Sequence, residues 1–263
     1  MHRITSRSTT ILLLGCSVAS AAEFKAVTCQ GDYPQHLQGV CAGDDSIFWC
    51  FTTKLVKTDP AGQILEQIDV ASHHGDLCFH RGKVYVAVNL GKFNDARGNA
   101  DSWVYVYDAT DLSLLAKHKA PEVFYGAGGI ACQDGRFMVV GGLPPGIEEN
   151  YVYEYDSSFS FVKKHVLNSG YTLMGIQTAA FADGQWWFGG YGKPPSLLIA
   201  DESLEHVRRF EFNGSVGMVP LVGGKFLIGR DRTSTNGHQG SLVPAETDER
   251  QGLKLLPSVN LPD

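Results

Sequence analysis

The feature that most constrains this chain is a phrase written five times: a short apolar run, a tight turn carrying Gly or Asp, and a second run rich in β-branched and aromatic residues. The copies are Gly39-Val40-Cys41-Ala42-Gly43-Asp44-Asp45-Ser46-Ile47-Phe48-Trp49, Asp76-Leu77-Cys78-Phe79-His80-Arg81-Gly82-Lys83-Val84-Tyr85-Val86, Gly129-Ile130-Ala131-Cys132-Gln133-Asp134-Gly135-Arg136-Phe137-Met138-Val139, Thr178-Ala179-Ala180-Phe181-Ala182-Asp183-Gly184-Gln185-Trp186-Trp187-Phe188 and Met218-Val219-Pro220-Leu221-Val222-Gly223-Gly224-Lys225-Phe226-Leu227-Ile228. Two such runs around a Gly turn form a β-hairpin. Counted between Asp45, Gly82, Gly135, Gly184 and Gly224, the separations are 37, 53, 49 and 40 residues.

Two further strand signals follow each hairpin, as in Lys54 to Val56 with Ile64 to Val70 and Trp103 to Tyr107 with Leu114 to His118. Between them sit polar turns headed by Asp59, Asp108, Asp156, Asp201 and the Glu246 to Glu249 run. Asp and Ser suit such turns because their side chains bond the nearby backbone. Each unit therefore supplies four strands, no long amphipathic helix interrupts them, and the spacing is that of propeller blades with loop insertions. Radial repetition of four-stranded meanders leaves only short, protected edges. The expected fold is all-β, a five-bladed β-propeller of four-stranded antiparallel blades. It runs from about Gln30 to Pro257, with Glu23 to Cys29 on its outside, within a single domain spanning 23–263.

The repeated phrase, with its Asp/Gly-Gly-x-apolar-aromatic turn, resembles the secreted five-bladed β-propeller proteins as an architectural group. What the resemblance implies is fold. Five-bladed propellers include glycosidases, lectins and nucleotidases, so no catalytic assignment comes with it.

A hydrophobic fraction of 43% and a charged fraction of 19% are those of a chain with a real core. Residues 1–22 read as an export signal: Arg3 and Arg7 lead, Ile11 to Leu14 begin a short apolar centre, and Ala19-Ser20-Ala21-Ala22 offers small-residue cleavage sites. Leu13-Leu14-Gly15-Cys16 also resembles a lipoprotein box, so a membrane anchor enters only if Cys16 is lipidated. The expected location is secreted or periplasmic. Removing the segment takes two Arg and no acid, moving the formal charge from -6 to -8. A net-acidic protein without a basic cluster is not expected to bind nucleic acid or an anionic membrane surface.

Five cysteines then remain, and a disulfide from Cys29 to Cys41 or Cys50 would staple the N-terminal segment. Cys78 and Cys132 read as small buried hydrophobes. No spacing is CxxC, and no phosphate loop, nucleophile elbow or dinucleotide fingerprint appears, so no cofactor is expected. Asp76 with Asn89 is the one pair considered for Ca²⁺, and the lack of a dense Asp/Asn run argues against a metal.

In a propeller the loops entering the innermost strands share one face with the loops joining strands two and three. Aligning the repeats on their marker turns puts Gln38, Gly75, Gly128, Gln177 and Gly217 in one column. His36 and His73 stand two places earlier, and Asp76 one place later. The other half of the face brings Asn89, Lys193 and Arg230-Asp231-Arg232 leading to His238, with Tyr125 and Tyr191 as flanking rings. The candidate catalytic residues are His73, His74 and Asp76: an imidazole serves as general base near neutral pH with a carboxylate orienting it. Strand alternation sends His73 one way and His74 with Asp76 the other, so part of the set faces a ligand. The candidate binding residues are Gln38, Asn89, Tyr125, Gln177, Tyr191, Lys193, Arg230 and His238. Imidazoles, cations and rings around one concavity suit a small polar ligand or glycan. The expected function is an enzyme, hydrolase or lyase, acting on a carbohydrate or other small polar substrate; the alternative is a non-catalytic lectin-like or interaction propeller.

Overall fold

The computed structural model describes residues 25–257, and the expected export segment and Cys16 lie outside them. Among the described residues there is no α-helix. After a two-residue strand, β1 (Val27–Thr28), come β2 (Gly39–Gly43), β3 (Ser46–Phe51), β4 (Lys54–Thr58) and β5 (Ile64–Asp69), which form blade 1. Blade 2 is β6 (His74–His80), β7 (Lys83–Asn89), β8 (Ser102–Asp108) and β9 (Leu114–Lys119). Blade 3 is β10 (Ala127–Gln133), β11 (Arg136–Gly141), β12 (Asn150–Tyr155) and β13 (Phe161–Leu167). Blade 4 is β14 (Leu173–Ala182), β15 (Gln185–Gly192), β16 (Pro195–Asp201) and β17 (Val207–Phe210). Blade 5 is β18 (Met218–Pro220), β19 (Lys225–Ser234), β20 (Gly237–Asp248) and β21 (Gly252–Leu255). The protein is a five-bladed β-propeller, as its repeat requires.

The recurrent phrase is the hairpin of strands one and two. In blades 2 to 5 its turn is Arg81-Gly82, Asp134-Gly135, Asp183-Gly184 and Gly223-Gly224, with positive φ at both residues of every pair. That is the primed turn whose twist matches the strands it joins, and Gly adopts it without strain. The outer turns are built on Asp side chains. Asp59 Oδ1 accepts N–H from Ala61 and Gln63 at 2.9 Å each, Asp156 Oδ1 accepts from Ser158 and Ser160, and Asp248 Oδ1 from Arg250 and Gln251.

The blades close into a ring through their innermost strands, with β2 against β6, β6 against β10, β10 against β14, β14 against β18 and β18 back against β2. The core is accordingly divided into five clusters, one per blade interface. Phe48, Leu55, Leu77 and Tyr107 fill that between blades 1 and 2, and Met138, Ile176 and Trp186 that between 3 and 4. Segments at both ends of the described residues meet on blade 5. β1 pairs Val27 and Thr28 with Leu242 and Ser241, beside the pairing of β21 with Ala245 to Asp248, so two short segments share the outer edge of β20. The N-terminal segment expected outside the propeller is thus partly a strand of blade 5. Its last residue, Cys29, expected on the outside, is instead buried with Tyr33 and Leu37 in the cluster between blades 5 and 1.

The disulfide expectation is corrected. Cys29, Cys41, Cys50, Cys78 and Cys132 are all free. The Cys29 thiol meets the Tyr33 hydroxyl at 3.3 Å, while Cys41 and Cys50 pack in the neighbouring interface. Burial pushes the Cys29 thiol up to about 11, so it is a protonated, unreactive group.

Candidate functional site

A cavity of about 770 Å³ opens at the centre of the ring. Its wall comes from two sets of residues. Those entering the innermost strands are His36, Gln38, His73, Met174, Gln177 and Ser215; those at and beyond the ends of the second strands are Phe93, Tyr191, Arg230, Asp231 and His238. Six of the eleven candidates read from sequence stand here: His73, Gln38, Gln177, Tyr191, Arg230 and His238.

The sharpest geometry belongs to a segment read from sequence as a loop. β19 and β20 continue past the blade as a long hairpin, pairing Asp231 with Gly240 and Thr233 with His238 up to the turn at Ser234 and Gly237. Residues 231 and 238 are therefore diagonal neighbours on one face. The His238 Nδ1–H donates to Asp231 Oδ2 at 2.8 Å, which fixes the tautomer and leaves Nε2 as the nitrogen with no protein partner among the described residues. The second carboxylate oxygen, Asp231 Oδ1, accepts the Leu37 N–H at 2.8 Å, locking the hairpin to the loop that carries His36 and Gln38.

Next to Asp231, the Arg230 guanidinium donates from Nη1 to the carbonyls of Asn213 (2.9 Å) and Gly229 (3.0 Å). It lies over the Phe212 ring at 5.9 Å. Its Nη2 and Nε make no hydrogen bond among the described residues. Burial lowers its pKa, and an arginine still keeps its charge. A held guanidinium with a free edge in a cavity wall is an anion site.

On the other side of His238, the Gln38 Nε2 amine sits 2.6 Å from His36 Nε2, 3.1 Å from His73 Nε2 and 3.1 Å from Thr52 Oγ1. The amide has two hydrogens for these three neighbours, so it donates to two of them at a time, and an imidazole that accepts one does so through an unprotonated Nε2. Desolvation lowers the pKa of His36, opposed by the Asp231 carboxylate and reinforced by His238. His73 keeps much of its surface in water, yet desolvation of the ring, with His36 adding to it, lowers its pKa as well.

Five candidates are placed elsewhere. His74 is 0% exposed: its Nδ1–H donates to Ala71 O at 2.6 Å and its Nε2 accepts the Tyr107 hydroxyl at 2.8 Å. Asp76, 1% exposed, accepts N–H from Ala179 at 3.0 Å and from Leu77 and Val40, pinning innermost strands of three blades. Neither reaches the cavity wall, so the expected His–Asp pair at the channel mouth is corrected to a buried inter-blade anchor. Asn89 is also buried: its Oδ1 accepts from Gly91 and Asp101 and its Nδ2 donates to Gly91 O, shaping the loop 90–101. Tyr125 stacks on Tyr151 at 6.3 Å and stands outside the wall, and Lys193 is an exposed turn residue between β15 and β16. Among the described residues no group of three or more His, Cys, Asp or Glu is disposed to hold a metal ion.

Sequence reasoning missed the pairing of Asp231 with His238, whose signal was Asn236-Gly237 as a hairpin turn rather than a loop. It also missed Phe93 and Met174, which carry no motif.

No protein-family model and no curated protein matches the chain. Solved structures do. The glutaminyl cyclase of Myxococcus xanthus is similar over 85% of this chain and 99% of its own, at 10% identity and a TM-score of 0.57. The xylan β-1,4-xylosidase of Bacillus halodurans C-125 is similar over 88% of this chain but 56% of its own, at 13% identity and TM-score 0.58. A bifunctional GH43-CE protein of Bacteroides eggerthii is similar over 90% of this chain and 38% of its own, at 15% and 0.58. At such identities the likeness is one of fold, and it joins this chain to the propellers without assigning it a reaction.

Proposed function

We propose that the chain is an enzyme that moves a proton on a small anionic substrate, carbohydrate acids included, in the central cavity. The observation that carries the reading is His238, with Nδ1 held by Asp231 and Nε2 unpartnered in the same wall as the free edge of Arg230. A base whose tautomer is set by a carboxylate is an activated base. A guanidinium beside it holds a substrate carboxylate and stabilises the charge that develops when the neighbouring carbon loses its proton.

Between the hydrolase and lyase forms, the donor set favours the lyase. Glycoside hydrolysis ordinarily uses two carboxyl groups flanking the bond. Asp231 is the single carboxylate among the residues lining this cavity, and its oxygens are already given to His238 and Leu37. Proton abstraction by His238 beside a carboxylate held by Arg230, with the Cβ–O bond breaking as the double bond forms and the departing oxygen taking the proton from the His238 imidazolium or water, needs no second acid pair. His36, Gln38 and His73 serve as neutral hydrogen-bonding groups for substrate hydroxyls. Against the lectin-like alternative, the polar groups differ from blade to blade and gather in one cavity rather than repeating between blades. Export to the periplasm or the exterior belongs to the same proposal and rests on residues 1–22.

The test is a panel of uronic acids and acidic oligosaccharides, followed by the ultraviolet absorbance of the double bond that elimination creates. His238→Ala and Asp231→Asn should lower kcat by about 10²- to 10⁴-fold with an unchanged melting temperature. Binding of a panel member with no turnover by the parent protein would convert the reading to the lectin-like one.

A further inference from the structure

The cavity wall carries its charged and imidazole groups on one arc and its large apolar side chains on the other. Arg230 and His238 belong to blade 5, His36 and Gln38 to the entry of blade 1, and His73 to the entry of blade 2, a continuous arc of the ring. The remaining arc, over blades 3 and 4, presents Phe93, Met174 and Tyr191, with the Gln177 amide as its polar member.

The Phe93 ring lies across Gly126 and Gly128, where an added Cβ would meet it at 2.6 and 3.4 Å; the two glycines leave room for it at the axis. The next residue, Asn94, has φ +64° and donates its N–H to Tyr125 O at 2.8 Å, fixing the loop that delivers the ring. Met174 also adopts a left-handed φ of +61°, which a residue with a side chain takes up at some conformational cost. The Gln177 amide donates to Met174 O at 2.8 Å and steadies that turn. Yet Met174 stays 39% exposed. A thioether and a ring kept at the wall of a cavity that also presents a cation make a surface for an apolar group.

We infer that the cavity takes an amphiphilic anion: a carboxylate seated at Arg230, beside His238, that carries an aryl group against Phe93 and Met174. The inference rests on the reading of this cavity as the substrate site and narrows it from plain sugar acids to aryl-bearing ones.

Calorimetric titration with four probes separates the two arcs: glucose, glucuronate, phenyl β-glucoside and phenyl β-glucuronide. Phenyl glucuronide should bind about 10- to 50-fold more tightly than glucuronate, the gain expected for burying most of one ring, and more tightly than phenyl glucoside by a similar factor. Phe93→Ala should erase the aryl gain, so that the variant binds phenyl glucuronide and glucuronate about equally. Phe93→Leu, which keeps apolar surface and guards against a simple folding defect, should retain most of it. Equal affinity for glucuronate and its phenyl glycoside overturns the inference, as does an aryl gain untouched by Phe93→Ala, or no binding by any probe. Failure of the enzyme reading shows differently: the binding order holds while no probe or panel compound is turned over.

Discussion

His73 and His74 are neighbours in sequence and opposites in environment. The first stands at a cavity wall, half in water, sharing Gln38 with a second imidazole. The second is sealed against Tyr105 and Tyr107 with both ring nitrogens bonded, and burial lowers its pKa to about 4. The division extends to the two carboxylates. Asp231 faces the cavity and orients a base, whereas Asp76 lies buried among backbone amides of blades 1, 2 and 4. A polar residue near a propeller axis thus has two uses, and what separates them is whether its hydrogen-bonding capacity is consumed by the fold.

The comparison breaks most visibly at Asp76. Removing its side chain orphans three buried N–H donors, each costing about 1 to 3 kcal/mol. Asp76→Ala should therefore destabilise by about 3 kcal/mol or more in guanidinium unfolding. A variant as stable as the parent would mean that the carboxylate is not the pin between strands.

His74 sharpens the contrast through pH. Its folded pKa of about 4 lies below the ordinary 6.5, so the unfolded chain binds the proton first as pH falls. Its contribution is present above about 6.5 and lost on descent toward 4, about 3 kcal/mol in all. Asp76 has the opposite sign: burial raises its pKa, so its contribution is present in acid and lost as pH rises through the folded value. Comparing His74→Asn with the parent cancels Asp76 and isolates the histidine. The variant should be less stable at neutral pH and lose less between pH 7 and 4, and parallel profiles would refute the assignment.

The fold was legible because its signals are local. A two-residue turn demanding positive φ needs Gly or Asp, and it recurs at Gly82, Gly135, Gly184 and Gly224 whatever the loops between do. Counting back from those turns located the strand entrances, and so found Gln38, Gln177 and His73. What counting could not decide was which side of each strand faces the opening. β6 carries a register shift between His74 and Leu77, and past it strict alternation no longer tells where Asp76 points. Asn89 shows the second limit: its residue type suited a ligand, but its side chain closes the loop that delivers Phe93. Where a long-range partner decides the role, as Leu37 and His238 do for Asp231, residue type alone is silent.

The smallest effect expected is at Lys193, the cation that sequence placed beside the substrate. It stands between Gly192 and Pro194-Pro195, in a turn at the exposed junction of β15 and β16. Tyr191, two residues earlier, is the part of this segment that reaches the wall. Lys193→Ala should change stability by no more than about 0.5 kcal/mol and leave KM and kcat within about twofold, while Arg230→Met raises KM for a carboxylate substrate at least about tenfold. The difference between these two cations follows from Arg230 being held by the carbonyls of Asn213 and Gly229 while Lys193 stands in solvent, where an ion pair is worth little. A large KM effect at Lys193 would mean that the β15–β16 turn folds over the bound ligand, and the apolar arc would then have to be redrawn to include it.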